Sequence, residues 1–485
     1  MKTRLIFSLS CLGPLLLSGC MVGPKYVRPT TPLAPAFKEQ PPDSFKETDG
    51  WKPGQPDDQS LRGSWWEIFG DPQLNALEVQ LTSANQNLKL AEARLRQARS
   101  MISYNRASLA PTISTAPSIA SERYSANQPY FNRSLANNGT GAFTLPFDLS
   151  YEVDLWGRVR RTISASREET QATAADLETA SLSLHAELAM DYFELRSADV
   201  QKQLLDDTEK AYGDALKLTQ NRQAGGAAPM SDVAQARTQL EAAQVQDTDI
   251  AVARSQYEHA IATLIGVPPA QLTLPPAPQT RLQLPVIPVG LPSDLLERRP
   301  DIAAGERRMA EANDQIGIAR AAFFPTLTIS ALGGFAGTSA TNWLNWPSRM
   351  WAVGPQMTQT LFDAGRRRAT SDAATANYDS TVASYRQTTL TAFQEVEDSL
   401  AALRVLETEA QQQQQATESA REALQLFTNR YEGGVDNYLQ VITAQTTALA
   451  NQRNDIDIQR RRMDASVLLV KAIGGGWDTS RLPKY

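Results

Sequence analysis

Gly157-Arg158-Val159-Arg160-Arg161, running on without a proline to Gln220-Asn221-Arg222, is the first of two copies of one design. The second begins at Gly365-Arg366 and closes at Asn429-Arg430, 208 positions later. The shift holds without a gap beyond both stretches. Gly225-Gly226 answers Gly433-Gly434, Val233 answers Val441, and Leu264-Ile265-Gly266 answers Ala472-Ile473-Gly474. Ala, Leu, Gln, Glu and Arg, strong helix formers, dominate both copies. At 1.5 Å rise per residue a helix over 157–222 extends about 99 Å, deeper than any compact core. Leu177, Leu184, Leu188 and Leu195, like Phe393, Val396, Leu400 and Leu403, keep coiled-coil spacing. Each long helix, 157–222 and 365–430, reverses at its Gly-Gly pair into a shorter one, 231–265 and 438–473.

Upstream of each long helix the period changes to two. Ile113, Thr115, Pro117 and Ile119 alternate with Thr112, Ser114, Ala116 and Ser118. Phe143, Leu145, Phe147, Leu149, Tyr151 and Val153 then alternate with Thr144, Asp148, Ser150, Glu152 and Asp154. The second copy repeats this with Leu327, Ile329 and Ala331, then Trp351, Val353 and Met357. These are strands with one apolar and one wet face, in hairpins at about 110–154 and 325–362. Each is about ten residues long, as a tilted membrane-spanning strand must be. Tyr124, Tyr130 and Phe131 in one connecting loop, and Trp343, Trp346 and Trp351 in the other hairpin, fit an interfacial aromatic belt. Loop packing is the plainer reading of the same residues.

Asp71-Pro72 is a helix start, and a helix of about 36 residues follows to Ala107. Stacked on the 231–265 helix it matches the long one, so each copy is a plank two helices wide, topped by a hairpin. Four strands per chain are too few for a barrel, which takes about eight. Open sheet edges cannot face lipid, so the chain must oligomerise. Two chains supply eight strands and three supply twelve; the pattern does not choose.

The 485 residues divide into a repeat over 65–267, a proline-rich linker over 268–291, a repeat over 292–476 and a tail over 477–485. Ahead of them, Lys2 and Arg4 followed by apolar Leu5 to Leu17 read as an export signal over 1–19. Residues 20–64, with seven prolines from Pro29 to Pro56, read as an extended arm. Past the signal no run reaches the ~18 apolar residues a membrane helix needs. A net charge of −6 excludes the basic excess of a nucleic-acid binder. The two histidines, His185 and His259, read as helix-surface residues without ligand spacing. No nucleophile elbow, phosphate loop or zinc motif appears, so neither catalysis nor a metal is expected.

Several ordered motifs resemble the outer-membrane efflux channel family, TolC-like proteins, in the lipoprotein branch that includes OprM and NodT. They are Leu291-Pro292-Ser293-Asp294-Leu295-Leu296-Glu297-Arg298-Arg299-Pro300-Asp301-Ile302, Ile316-Gly317-Ile318-Ala319-Arg320-Ala321-Ala322-Phe323-Phe324-Pro325, Ser150 to Arg158, Phe362 to Arg366 and Ile473 to Trp477. Leu17-Ser18-Gly19-Cys20 resembles a lipobox, which implies a lipid on Cys20 and no other cofactor. Cys11 falls in the signal, and Met21 after the lipidated residue implies outer-membrane sorting.

The resemblance implies a mainly α protein with a membrane β-barrel, assembled as a homotrimer with twelve strands and a twelve-helix tunnel. It further implies a passive exit duct for small molecules, handed over by a periplasmic adaptor and an inner-membrane pump of the resistance-nodulation-division type. A gate of Asp232, Tyr431 and Asp436 is implied at the helix tips, where Gly225, Gly226, Gly433 and Gly434 would meet the adaptor. The family usually has one glycine at this reversal, not two. Asp232 and Asp436 also suit plain helix capping. The other classes weighed are a type I-like protein export channel, a periplasmic adaptor, which would lack the four strands, and an envelope spacer.

Overall fold

A computed structural model describes residues 21–31, 34–42, 63–123, 125, 127, 139–278, 284–287 and 294–484. The expected signal, Cys20, Tyr124, Tyr130, Phe131 and Leu291-Pro292-Ser293 lie outside the described residues, as do parts of the arm and linker. In chain order the first repeat is α1 (Pro72–Ala84), α2 (Gln86–Ala107), β1 (Thr112–Thr115), β2 (Ser118–Glu122), β3 (Thr140–Val153), α3 (Arg158–Ala224) and α4 (Met230–Leu264). The second is α5 (Leu295–Arg298), α6 (Pro300–Ala321), β4 (Thr326–Gly337), β5 (Arg349–Thr358), α7 (Arg366–Glu432) and α8 (Tyr438–Ala472). Both long helices have 67 residues and so span about 100 Å.

The helix expected from Asp71 to Ala107 is broken at Asn85. Asp71 caps α1 as expected, accepting from the Gln73 and Leu74 N–H groups. Asn85 Oδ1 then accepts from Asn87 and Leu88 and starts α2 afresh, while its Nδ2 donates to Leu264 O at 2.7 Å. The break therefore receives the end of α4. Gly266 (φ +74) passes so close that a Cβ there would lie 2.5 Å from Ala84 O. End-to-end stacking thus holds for α2 and α4, whereas α1 packs against the middle of α3. The second repeat has a matching seam, where Arg299 Nη1 donates to Ala472 O at 3.0 Å and a Cβ on Gly474 would sit 2.1 Å from Arg298 O.

The core lies at this middle level. Leu188, Tyr192, Phe193 and Leu195 of α3 meet Trp65, Trp66 and Phe69, along with Val396, Leu400 and Leu403 of α7. The heptad-like positions are thus explained by the junction of the two repeats. The linker is tied to the same level: Arg196 Nη1 donates to Pro275 O and Arg254 Nη2 to Leu274 O.

His185, expected on the helix surface, is buried. Trp66 stacks on its ring at 4.3 Å, and Nδ1 lies 2.5 Å from Glu78 Oε2. Thr82 Oγ1 donates to the Glu78 carbonyl, so toward His185 Nε2 it accepts. Burial pushes Glu78 up to about 9 and His185 down to about 4. Near neutral pH Glu78 therefore keeps its proton and donates it to Nδ1, avoiding two buried charges. His259 is exposed as expected.

The strands join into one antiparallel sheet in the order β1/β2, β3, β4, β5. β1 and β2 are one strand interrupted at Ala116-Pro117, where proline removes a ladder donor. Both halves meet β3 in one register, Thr115 opposite Phe147 and Ser118 opposite Thr144. The centre of the sheet is the pairing of β3 with β4, one strand from each repeat.

Candidate functional site

Register turns the alternation of each strand into a property of the whole sheet, since antiparallel partners share a face. Ile113, Leu149, Ala331 and Val353 form one row across it. Ile329 beside Tyr151, and Gly333 between Phe147 and Trp351, form neighbouring rows. The opposite face carries Ser114, Asp148, Thr112, Ser150, Ser330, Glu152, Thr328 and Gln356. The apolar face is uncovered by the chain itself: Ile113 is 69 %, Trp351 75 % and Val353 66 % exposed. No helix among the described residues is long and apolar enough to cross a membrane. A sheet apolar on one face and hydrophilic on the other can separate lipid from water. Among the described residues its two outer strands, β1/β2 and β5, have no partner on their far sides.

The inner end of the sheet is where each long helix begins. Asp154 accepts from the Val159 and Arg160 N–H groups, and Asp363 from those of Gly365 and Arg367. Trp156 stacks on Phe324 at 4.6 Å and donates Nε1–H to Pro325 O, joining the repeats. The start of the described chain is pinned here too. Val22 N–H donates to Trp156 O, and buried Arg161 donates to the carbonyls of Val22 and Pro24. Met21 lies against Gly157.

At the opposite pole the two helix reversals lie side by side. In each Gly-Gly pair the second glycine takes the left-handed conformation, Gly226 at φ +75° and Gly434 at φ +72°. The Ala227 N–H returns to Arg222 O and the Val435 N–H to Arg430 O, closing both ends with the same six-residue cap. The paired glycines are therefore one left-handed glycine preceded by an ordinary helical one.

Arg222 and Arg430 hold equivalent places but do different things. Arg222 Nη1 crosses to the other hairpin and donates to Tyr431 O at 2.9 Å and Glu432 O at 3.1 Å. Its guanidinium lies 4.6 Å over the Tyr431 ring. It thus caps the negative end of α7 from the opposite repeat. Arg430 instead folds onto its own turn, with Nε 2.6 Å from Asp436 Oδ2. That bond holds the Asp436 carboxyl below the usual carboxylate range.

Tyr431 is buried, packed at 5.1 Å on Tyr438 with Val441 and Ala236. Its hydroxyl has no hydrogen-bond partner among the described residues. Burial, reinforced by Tyr431, Tyr212 and Asp232, pushes the Tyr438 phenol up to about 12. Asp232 sits in the first turn of α4, whose cap position is Pro229, and its carboxylate makes no hydrogen bond or ion pair among the described residues. Neither aspartate accepts a capping hydrogen bond: α8 is preceded by Asn437, and Asp436 is engaged by Arg430. Asp232, Tyr431 and Asp436 do gather at one pole with all four tip glycines.

Arg222 and Tyr438 were missed by sequence reasoning. The 208-residue shift, which aligns Arg222 with Arg430 and Asp436 with Ala228, is the signal that finds the arginine.

Comparison with known proteins places this architecture. The family described as "Outer membrane efflux protein" matches residues 77–267 and 291–475. The chain is 32% identical over 475 residues to the toluene efflux pump outer membrane protein TtgF of Pseudomonas putida, covering 97% of each. It is 33% identical over 473 residues to outer membrane protein OprJ of Pseudomonas aeruginosa, covering 96% of this chain and 95% of that one. Among solved structures, the outer-membrane channel OprN matches with a TM-score of 0.83 at 29% identity, over 94% of this chain and 100% of that chain. The open state of the Neisseria gonorrhoeae MtrE outer membrane channel matches with a TM-score of 0.81 at 26% identity, over 95% and 99%.

Proposed function

The chain belongs to the outer membrane efflux protein family, and from that premise we propose how its parts make a gated duct. It is an outer-membrane channel component of a tripartite efflux system, and the family is one of channels. Three copies stand in a ring, each giving four strands to a twelve-stranded barrel and its long helices to a periplasmic tunnel. The observation that carries this is the single sheet, apolar on one face and hydrophilic on the other, with both edges open. An open edge in lipid leaves backbone groups unsatisfied, and a ring of copies removes every edge.

A periplasmic adaptor docks on the tips around Gly225, Gly226, Gly433 and Gly434, and an inner-membrane pump of the resistance-nodulation-division type supplies the energy. The gate is the tip cluster of Asp232, Tyr431 and Asp436 with Arg222. Cys20 carries the lipid. In support, Met21, the next residue, rests at the inner end of the sheet, where an acyl chain on its neighbour reaches the bilayer. Relatives are described as exporting toluene or pyoverdine, and small molecules of that kind are the proposed cargo.

The test is electrical. Purified full-length protein in a planar bilayer gives stepwise conductance, and cross-linking gives a three-chain product; a non-conducting monomer overturns the reading. Asp232→Ala raises the resting conductance if Asp232 latches a neighbouring hairpin. Unchanged conductance leaves it only its favourable place at a helix N-terminus.

A further inference from the structure

The end of the sheet remote from the helices carries a cation on its apolar face. Between Gly337 and Met350 the sequence contains Arg349 and no Asp or Glu. Arg349 begins β5 opposite Phe335, in the register row that places it on the apolar face. Its guanidinium lies 4.4 Å over the Trp346 ring, and Nη1 donates to Trp346 O. Trp346 is 71 % exposed, and Trp351, two residues along the same face, is also exposed. Phe143 packs on Trp343 at the same rim. Arg349 has no acidic partner among the described residues. The acid nearest this rim in the first hairpin, Glu122, pairs with Thr140 in a row of the opposite face. A neighbouring copy closing the barrel must match face to face, so it leaves Glu122 on the wet side.

A cation held over an indole on a lipid-facing surface needs a counterion from the lipid. We propose that Arg349, braced by Trp346, binds the phosphomonoester headgroup of an outer-leaflet lipid. This rests on the reading that the apolar face lies in the bilayer with the loops outward. The contact supplies an aromatic interfacial anchor, the preorganised guanidinium suits bidentate phosphate, and its other N–H groups have no acceptor among the described residues. Arg123, which directly follows β2, adds to the same field.

The experiment titrates the purified full-length channel in detergent with bisphosphorylated lipid A, with its dephosphorylated form and with inorganic phosphate, reading lipid adducts by native mass spectrometry. Wild type prefers the phosphorylated lipid. Arg349→Gln loses roughly fivefold of that preference, the effect of one basic side chain at an anionic surface, and Arg349→Lys keeps part of it. Equal binding of both lipids, or an unchanged preference in Arg349→Gln, overturns the proposal. Displacement by millimolar inorganic phosphate also overturns it, as a free-anion site. Bilayer conductance of the same samples separates the two readings. A conducting Arg349→Gln that has lost the preference upholds both, and a non-conducting wild type sinks the duct while leaving the lipid result to stand.

Discussion

The two helix reversals are copies of one turn, with the same cap, the same left-handed glycine and an arginine at the same place, yet one joins the hairpins and the other does not. The difference traces to one position. Where the second copy has Asp436, the first has Ala228. Given a carboxylate six residues on, Arg430 closes onto its own turn. Denied one, Arg222 reaches the last carbonyls of α7, those of Tyr431 and Glu432. Duplication supplied two equal cations, and the loss or gain of a single acid gave them different work.

The largest effect is expected from removing the crossing. Arg222→Gln forfeits hydrogen bonds from a charged donor, worth about 1.5–3 kcal/mol each. The resting conductance in a planar bilayer should rise by at least about tenfold, since 1.4 kcal/mol is a factor of ten. A value within twofold of wild type would mean that the tip is held elsewhere. Ala228→Asp tests the comparison itself. It offers Arg222 the partner that Arg430 has, and should raise conductance in the same direction but less, since recapture is incomplete.

Asp436→Asn comes third. The pair it breaks is exposed and screened, so its effect should show at low ionic strength and vanish at high salt. The pH sign follows. A carboxyl depressed in the folded state contributes fully above its ordinary value of about 3.9 and loses that contribution only as pH falls through the lower folded value. Conductance should therefore be flat from neutral pH down to about 4 on this account. Tyr431→Phe is the smallest: the hydroxyl has no partner among the described residues, so conductance should stay within twofold. A large rise would show that a neighbouring copy supplies the missing acceptor.

Much of this was legible because periodicity and repetition are properties of a string. The 208-residue shift marks both long helices and both reversals, and period-two alternation marks the strands and assigns the faces of the sheet. Three things were not legible. The break at Asn85 depends on the end of α4 arriving there, and a helical run carries no mark of a distant chain end. His185 was read as a surface residue because its partners, Glu78 and Trp66, lie about a hundred residues upstream. The crossing of Arg222 required knowing that the two tips touch, which no local spacing records. Tyr431 and Asp436 were found by resemblance, but the hydrogen bond that engages Asp436 was visible only in three dimensions.

The pairing of β3 with β4 has a consequence for how the molecule comes into being. Residues 140–153 must wait for residues 326–337 before the middle of the sheet can exist. Ladders between such remote segments carry high contact order and form slowly. Until then the first hairpin is a bare, greasy ribbon in an aqueous compartment, with a row of unpaired amides on each side. Such species aggregate readily, so the newly exported polypeptide must be shielded from its own siblings until its second half has emerged.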